Sequence, residues 1–304
     1  MSENLLTCLR TLNLPENLLT CLRTLNLPMN PDTHTRPHTP PSPAREVCRF
    51  LAAMSPLIIF GMAYFAMGLA PNYLFGDIDT RGLYDAELAL FGVTMPDGTM
   101  LTPTEWMTAH TSAAADFMAG CFYMCWVPLP VFFALYLYAT GRRQLSFRYA
   151  LAFLIVNVIG FAAYYAHPAA PPWYVMQHGF EAVIGTKGNA AGLLRFDELV
   201  GVPVFETIYG GNSNVFAAVP SLHAAYCPVA CFYAMKSHER TWTVMLAIVS
   251  AGIWWTAIYS AHHYTIDVLL GIMTAILGLT LFESILMRTR PWRSAFDRIA
   301  AALG

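Results

Sequence analysis

Two histidines and an aspartate at the ends of apolar segments are the residues of this chain best suited to chemistry. His263 precedes Asp267 by four residues, and His223 follows the pair Pro220-Ser221. Residues four apart share a helix face, so the Asp267 carboxylate is expected to accept a hydrogen bond from one imidazole nitrogen of His263. The second nitrogen then keeps an exposed, basic lone pair, which nucleophilic attack on phosphorus requires. His223 is predicted to act as general acid toward the leaving oxygen.

The His-x-x-x-Asp spacing taken alone favours a structural hydrogen bond. What favours catalysis is the combination of two histidines at the same end of three successive apolar segments, with Glu283 near the far end. Ionisable groups at the ends of membrane segments are costly, and they are typically paired or functional. His262 has two open interpretations, a supporting contact behind His263 or packing.

The composition predicts the environment of these residues. Hydrophobic residues make up 56% of the 304 residues and charged residues only 12%, about half of the roughly 25% typical of soluble domains. The chain is therefore predicted to be a multi-pass integral membrane protein. The oligomeric state is left open.

Apolar runs long enough to cross a bilayer, about 20 residues each, recur after residue 50. They predict an all-α membrane protein, a six-transmembrane helix bundle, in which Pro128 and Pro130 kink the second span. A short interfacial helix is predicted over residues 83–91. The predicted spans are residues 50–70, 113–139, 148–167, 214–235, 241–260 and 264–287.

Basic residues alternate between the two ends of these spans. All but three of the 17 Lys and Arg residues lie in the N-terminal segment, the 140–148 loop, the 236–240 turn and the C-terminal segment. Because basic residues concentrate on the cytoplasmic side, both termini are predicted to be cytoplasmic. His223, His263 and Asp267 are then on the extracytoplasmic or lumenal face.

The chain divides into four predicted regions. Residues 3–15 are repeated without change at 16–28, so residues 1–28 are interpreted as a recent duplication, a wrongly assigned start before Met29, or a cloning scar. Residues 29–49 are rich in Pro, Thr and His and predict a disordered cytoplasmic tail. Residues 50–287 form the predicted six-helix catalytic domain, and residues 288–304 a basic cytoplasmic tail.

Several ordered motifs resemble those of the type 2 phosphatidic acid phosphatase superfamily. Pro220-Ser-Leu-His223 and His263-Tyr-Thr-Ile-Asp267 resemble its second and third signature motifs. The resemblance narrows to the inositol phosphorylceramide synthase branch, the inositolphosphotransferases targeted by aureobasidin. That narrower likeness is carried by Ala169-Ala-Pro-Pro-Trp-Tyr174, Asn189-Ala-Ala-Gly-Leu-Leu-Arg-Phe-Asp197 and the doubled histidine before Tyr264.

One departure concerns the phosphate clamp. Phosphatase members place an arginine six residues before the nucleophilic histidine, where this chain has Ala257, and their lysine-containing first motif is not found. A phosphodiester in transit needs fixed positive donors, so Arg195 is expected to bind the phosphate, with Lys187 second. The alternative for Arg195 is an ion pair with Asp197 or Glu198.

Four more residues complete the predicted substrate site. Ser221 and His262 flank the catalytic histidines within the motifs. Trp173 and Tyr174 follow two helix-stopping prolines, and such aromatic residues suit the headgroup level of a membrane. They are interpreted as an interfacial anchor that is compatible with a headgroup-binding wall.

The resemblance implies a metal-free transfer in two steps through a phosphohistidine. The expected partners are a membrane phospholipid donor and a lipid hydroxyl acceptor, with no nucleic acid, cofactor or metal ion. His263 attacks the phosphorus of a phospholipid, His223 protonates the departing diacylglycerol oxygen, and Asp267 stabilises the imidazolium form of His263. Transfer to ceramide from phosphatidylinositol is the favoured reaction. A phosphatase acting on lipid phosphates or isoprenoid diphosphates is the alternative, because the same three residues serve both. A proton-coupled transporter that uses these residues as a relay is an alternative of another class.

Overall fold

Long apolar helices dominate the structure. The computed structural model describes residues 42–211 and 214–304, so the predictions for residues 1–28 and for the tail up to residue 41 lie outside the described residues. The elements, in chain order, are α1 (Pro43–Leu69), α2 (Gly82–Phe91), β1 (Val93–Thr94), β2 (Met100–Leu101), α3 (Pro103–Ala109), α4 (Ala113–Tyr123), α5 (Pro128–Ala139), α6 (Arg143–Ala166), α7 (Pro172–His178), α8 (Leu194–Val200), α9 (Val204–Gly210), α10 (Leu222–Lys236), α11 (Arg240–Tyr259), α12 (Thr265–Leu279) and α13 (Arg290–Leu303).

Four of these helical segments are long and apolar enough to cross a membrane. They are α1, α6, α11 and the stretch Thr265–Arg288, in which α12 continues through a π-helical turn and a 3-10 turn. The pair α4 and α5 is bent by 41° and would make a fifth crossing if counted as one broken span. These helices confirm a mainly helical integral membrane protein, whereas the predicted count of six is not reached by length and composition.

The shortfall comes from the predicted span 214–235. Its helix, α10, begins only at Leu222 and has 15 residues. The preceding residues are not helical and include a cis peptide between Val219 and Pro220. Hydropathy does not distinguish an apolar loop from an apolar helix. The prediction from sequence therefore started this helix eight residues too early.

Smaller differences also follow from local chemistry. The helix α1 begins at Pro43, inside the region predicted to be a disordered tail, because proline suits the first helical turn. The predicted kink in the second span is confirmed as the break before Pro128. The predicted short helix at 83–91 exists as α2. The structure also contains the hairpin β1–β2, which the all-α prediction did not include.

The helix α10 lies at the centre of the bundle. It packs against α11, α12 and α6, and its buried positions include the small residues Ala224, Ala225, Ala230 and Ala234. Small side chains let neighbouring backbones approach closely, which is the usual basis of helix association inside membranes. Gly271 of α12 takes this to its limit, because a methyl group there would overlap the Ser221 carbonyl oxygen.

Three loop segments are joined at the end of the bundle where α10 begins. Asp79, Ala169 and Ala217 form successive parallel β-bridges. The Asp79 N–H donates to the Pro168 carbonyl at 2.8 Å, and the Ala169 N–H donates to the Phe216 carbonyl at 2.8 Å. These bonds fix the loop before α2, the loop after α6 and the loop before α10 to one another.

The opposite end of the bundle carries a charged cluster. Glu283 accepts hydrogen bonds from Arg148 at 2.8 and 2.6 Å and from Lys236 at 2.6 Å. Lys236 is the last residue of α10, whereas His223 is the second. The prediction that Glu283 lies at the far end from the histidines is confirmed, and its charge is matched by two cations.

The C-terminal segment packs on the bundle rather than trailing from it as a tail. The helix α13 buries Ala300 and Leu303, and its Phe296 ring stacks on Phe147 of α6 with centroids 5.6 Å apart. The Gln144 side chain donates to the Ala300 carbonyl at 3.2 Å. The region predicted as a basic tail is therefore an amphipathic helix with one face against α6.

The contact between Gly271 and Ser221 predicts a sharp effect of one methyl group. Gly271→Ala is expected to destabilise the protein by about 1–3 kcal/mol, as overpacking does, and to reduce activity because it displaces the residues beside His223. Gly61→Ala in α1 is the matched control, since nothing lies within 4 Å of its added Cβ. Thermal unfolding and turnover of both variants test this, and equal behaviour would contradict the close approach.

Candidate active site

His263 and Asp267 are held together by the turn between α11 and α12. The carbonyl of Ala257 accepts the backbone N–H groups of both His262 and His263, at 3.0 and 2.9 Å. The Asp267 carboxylate accepts the Tyr264 N–H at 2.9 Å. These bonds place Nδ1 of His263 3.5 Å from Oδ2 of Asp267, and both side chains are buried. The histidine and the carboxylate predicted to pair are therefore in contact, although Nδ1 of His263 forms no hydrogen bond among the described residues.

His223 meets the other nitrogen of His263. Its Nδ1 lies 3.0 Å from Nε2 of His263, and it is placed there because the Ser221 N–H donates to the Asp267 carbonyl at 2.9 Å. The expectation of an exposed lone pair on His263 is therefore wrong. The two imidazoles face each other, so that a single proton lies between their nitrogens.

A tyrosine extends this arrangement. The Tyr209 hydroxyl, from α9, lies 3.2 Å from Nε2 of His223. Tyr123 stacks on the His223 ring with centroids 4.8 Å apart, and Trp126 packs beside it at 4.3 Å. An ionised Asp267 requires the proton of His263 on Nδ1. The Nε2 lone pair then accepts from His223, and the lone pair on Nε2 of His223 accepts from Tyr209.

His262 both packs and supports the site. Its ring lies between Tyr123 and Tyr209, with centroids 5.3 and 4.7 Å away, and its Nε2 is 3.0 Å from the Ala190 carbonyl. Burial lowers the pKa of His262 to about 3. The ring is therefore neutral near pH 7, with its Nε2–H donated to Ala190.

Ser221 contributes through its backbone. Beyond the N–H bond to Asp267, its hydroxyl oxygen is buried and has no hydrogen-bond partner among the described residues. An unpaired buried hydroxyl costs about 1–3 kcal/mol, and no described residue compensates for it.

Arg195 is engaged by a partner that the sequence did not indicate. Its Nε donates to Asp116 of α4 at 2.6 Å, and its guanidinium lies over the Tyr259 ring at 5.1 Å. The alternative for Arg195, an ion pair with Asp197 or Glu198, does not form; the Asp197 carboxylate instead accepts two backbone N–H groups at the start of α9. Nη2 of Arg195 is buried without a partner among the described residues.

Lys187 and the aromatic pair occupy different surroundings. Lys187 is exposed on the loop after α7. Trp173 and Tyr174 are buried in the protein, so neither meets lipid as an interfacial anchor would. The Tyr174 hydroxyl donates to the Glu181 carbonyl at 2.7 Å and accepts the Val183 N–H at 2.6 Å, which fixes the loop that carries Lys187.

Two cavities meet at His223. The first, which we call the apolar cavity, contains about 610 Å³ of space between its walls, part of it open to solvent. The second, the polar cavity, contains about 410 Å³, also partly open to solvent. Residues of the apolar cavity include Tyr64, Met67, Trp126, Phe161, Leu222 and Tyr226. Residues of the polar cavity include Trp173, Gly188, Asn189, His262 and His263. Tyr209, Asn214, Ala217 and His223 line both.

Sequence reasoning missed Tyr209, Asp116 and the buried Glu87 of α2. Tyr209 and Asp116 contact residues 14 and 79 positions away, so no local spacing links them to the motifs. The one available signal was that acidic residues in apolar surroundings need partners. Within residues 42–211 and 214–304, no group of three or more His, Cys, Asp or Glu is arranged to hold a metal ion.

A carboxylate–histidine–histidine constellation beside an apolar cavity, at one end of a membrane helix bundle, defines an enzyme of phosphorus chemistry on lipids. Comparison with known proteins gives the family: the model of the PAP2 superfamily matches residues 98–281. The chain belongs to this superfamily.

Named relatives place the chain more narrowly. It is 53% identical over 251 residues to a phosphoinositol dihydroceramide synthase of Bacteroides thetaiotaomicron, covering 82% of each chain. It is 29% identical over 242 residues to the inositol phosphorylceramide synthase of Candida albicans, covering 77% of this chain and 47% of that one. The catalytic subunit of the same enzyme from Saccharomyces cerevisiae matches 42% of this chain at 29% identity and 31% of that subunit. No solved structure matches.

These relatives confirm the resemblance that the motifs indicated, at the level of both the superfamily and the synthase branch. They equally confirm an enzyme of the transferase kind that belongs to sphingolipid metabolism.

The burial of neutral His262 predicts an acid-dependent loss of stability. The unfolded chain binds a proton at its ordinary pKa of 6.5, whereas the folded chain binds it only near 3. The unfolded state therefore holds more protons between these values, and stability falls as the pH falls through that window. His262→Gln keeps a donor for Ala190 and cannot be charged. Its melting temperature should fall less between pH 7 and 4, and a parallel fall would contradict neutral burial.

The ion pair of Arg195 with Asp116 predicts coupled stability effects. Asp116→Asn or Arg195→Gln alone leaves a largely buried charge without its partner, at a cost on the order of 3 kcal/mol, while the double variant is expected to lose less than the sum. Thermal unfolding of all four proteins gives the coupling energy. If Asp116→Asn is as stable as wild type while Arg195→Gln loses only lipid turnover, Arg195 binds phosphate and is not a structural partner.

Proposed function

We propose that this protein transfers phosphoinositol from phosphatidylinositol to the hydroxyl of a ceramide-type lipid. Dihydroceramide is the acceptor that the name of the bacterial relative indicates. The observation that carries the proposal is the contact of His223 and His263 at 3.0 Å, backed by Asp267, at the junction of two cavities.

The cavities suit the two halves of such a substrate. The inositol and phosphate groups are hydrophilic, and the polar cavity offers His262, His263 and Asn189 beside the nucleophile. Hydrocarbon chains suit the apolar cavity, whose aromatic and aliphatic walls replace lipid contacts. A phospholipid that spans the junction would place its phosphorus next to His223 and His263.

In the first step, Nε2 of His263 attacks phosphorus, and the bond from phosphorus to the diacylglycerol oxygen breaks. For this, Nε2 must leave its contact with His223. His223 carries a second proton on Nε2 at this stage, facing the Tyr209 oxygen; it passes the Nδ1 proton to the departing oxygen and remains as a neutral imidazole. Asp267 stabilises the phosphorylated, positively charged ring of His263.

In the second step, the acceptor hydroxyl loses its proton to His223 and attacks phosphorus, so that the bond to Nε2 of His263 breaks. The rings return to their original contact. Water would lead to hydrolysis instead, and the buried, partly apolar site disfavours it.

The phosphate also needs a positive partner, since Ala257 stands where the phosphatases carry arginine. The Nε of Arg195 is bound to Asp116, and its Nη2 is a buried donor without a partner among the described residues. Lys187 precedes Gly188 and Asn189, which line the polar cavity. Its long flexible side chain makes it our candidate for meeting the phosphate from outside, with Arg195 second.

We extend the proposal to topology. Counting the bent pair α4–α5 once and including α10 gives six crossings. The helix α10 is about 22 Å long at 1.5 Å per residue, and the loop 214–221 completes its passage. The matched charges of Glu283, Arg148 and Lys236 mark the cytoplasmic end, by the concentration of basic residues there. Both termini are then cytoplasmic, and the histidines face the opposite side.

Labelled substrate separates the candidate reactions. The purified protein in lipid vesicles receives phosphatidylinositol with radioactive inositol, with and without dihydroceramide. We expect a labelled sphingolipid only when dihydroceramide is present. Water-soluble inositol phosphate independent of dihydroceramide would indicate a hydrolase, and phosphate release from phosphatidic acid alone would indicate a phosphatase. Either result would overturn the transferase proposal.

Variants test the roles of the histidines. His263→Ala and His223→Ala are expected to lower turnover by about 10³-fold or more, as loss of a nucleophile or a general acid does. His238→Asn is the matched control, because His238 is exposed in the turn after α10, at the other end of that helix. If His263→Ala kept lipid turnover and abolished a proton flux, the protein would be a transporter.

A further inference from the structure

Glu87 is a buried carboxylate without a role in the reaction described above. It lies on the short helix α2 and has no exposed surface. An unpaired carboxylate at such a position would be strongly destabilising. Its partners therefore indicate why this charge is buried.

Both oxygens of Glu87 bind the first turn of α12. Oε1 accepts the Thr265 N–H at 2.8 Å, and Oε2 accepts the Ile266 N–H at 3.0 Å. These are the first two residues of the helix, whose N–H groups have no partner within it. The positive end of the helix dipole adds to the attraction. One side chain from 178 residues away thus satisfies both donors.

The same helix turn carries Asp267. As the third residue of α12, Asp267 accepts the Tyr264 N–H through Oδ2, the oxygen that faces Nδ1 of His263 at 3.5 Å. A shift of this turn by a fraction of an ångström would break that contact. Glu87 and Asp267 together bind three successive backbone N–H groups, from Tyr264 to Ile266.

Glu87 is itself held in register. Its helix α2 begins where Asp79 accepts the Gly82 N–H at 2.6 Å. Asp79 belongs to the β-bridges that join the loops beside the site. A continuous set of hydrogen bonds therefore runs from these loops through α2 to the start of α12.

From this geometry we infer that Glu87 is a positioning residue for catalysis, which fixes the first turn of α12 so that Asp267 orients His263. The inference rests on the proposed function for its kinetic readout. Glu87 touches no reacting atom, and it acts through the backbone of Thr265 and Ile266.

The neutral variant Glu87→Gln tests this with the least change of shape. The amide oxygen of the introduced glutamine can still accept one of the two backbone N–H groups. Its NH₂ group faces the other N–H, so that two hydrogen-bond donors are placed against each other. We expect kcat for the transfer of phosphoinositol to dihydroceramide to fall about 10-fold or more. The KM for phosphatidylinositol should change less than about twofold, because orientation of a nucleophile raises kcat rather than binding.

A second substitution makes the test specific. Thr265→Pro removes the N–H that faces Oε1, at the first helical position, where proline is well tolerated. Tyr264 already has φ −71° and ψ 161°, the conformation required before proline. In the double variant, the NH₂ group of the glutamine introduced at position 87 no longer faces an N–H donor, because the proline at position 265 has no N–H. We expect its kcat to be at least threefold above that of Glu87→Gln alone, a rescue that a purely structural role would not give.

Glu105→Gln is the matched control. Glu105 accepts the Thr102 N–H at 2.8 Å at the start of α3, a helix that carries no residue of the site. It should lose a similar hydrogen bond and keep kcat. Unchanged kcat in Glu87→Gln, or effects of Glu87→Gln and Thr265→Pro that simply multiply, would overturn the inference.

The two proposals fail in different ways. If wild type itself transferred no phosphoinositol, the proposed function would fail. The melting temperatures of wild type, Glu87→Gln, Thr265→Pro and the double variant would still test the contact, since additive shifts would exclude a bond between Glu87 and Thr265.

Discussion

The structure of the site depends on the close approach between the starts of α10 and α12. Gly271 leaves room for the Ser221 carbonyl, and the Ser221 N–H donates to the carbonyl of Asp267. Two helices that come from different parts of the chain are thereby fixed backbone to backbone. The contact of His223 with His263 requires no further adjustment, because each side chain projects from an element already held in place. Side-chain packing alone would allow larger relative movement.

Buried charge is balanced separately at the two ends of the bundle. At one end, Glu283 is matched by Arg148 and Lys236, a compact network of ion pairs. At the other end, Asp267 and Glu87 are matched by backbone N–H groups and an imidazole rather than by a fixed cation. Backbone dipoles leave a local excess of negative charge there. Such an excess favours a positively charged ring on His263, the form that a phosphorylated histidine takes.

The class of protein, the family and the contact of His263 with Asp267 could be predicted from the sequence. The residues that hold these side chains in place could not. His263 and Asp267 lie four apart, so their contact follows from helical geometry alone. Glu87 and Thr265 are 178 residues apart, and their contact depends on how α2 is seated. Arg195 lies two residues from Asp197, yet it pairs with Asp116 because α8 packs on α4. Proximity in sequence misled here, since the tertiary fold decided the partner.

The boundary of α10 shows the same limit. Residues 214–221 are as apolar as the helix that follows, and hydropathy therefore extended the predicted span through them. Their backbone is used for bonds to other segments, with the Phe216 carbonyl bound to Ala169 and the Ser221 N–H to Asp267. Because its backbone groups bind other segments, this apolar stretch does not form a helix. The helix α10 therefore starts close to His223, which places His223 in its first turn and next to a cavity.

The sharing of His223 by the two cavities has a consequence for the order of events. The apolar cavity borders this histidine, and in the proposed reaction diacylglycerol and a ceramide-type lipid would both use it for their chains. Under that proposal the first lipid product leaves before the second lipid enters, while the headgroup stays bound to the protein. Donor and acceptor would then alternate at one place, as in a ping-pong cycle, and diacylglycerol would compete with the incoming sphingolipid for the vacated cavity.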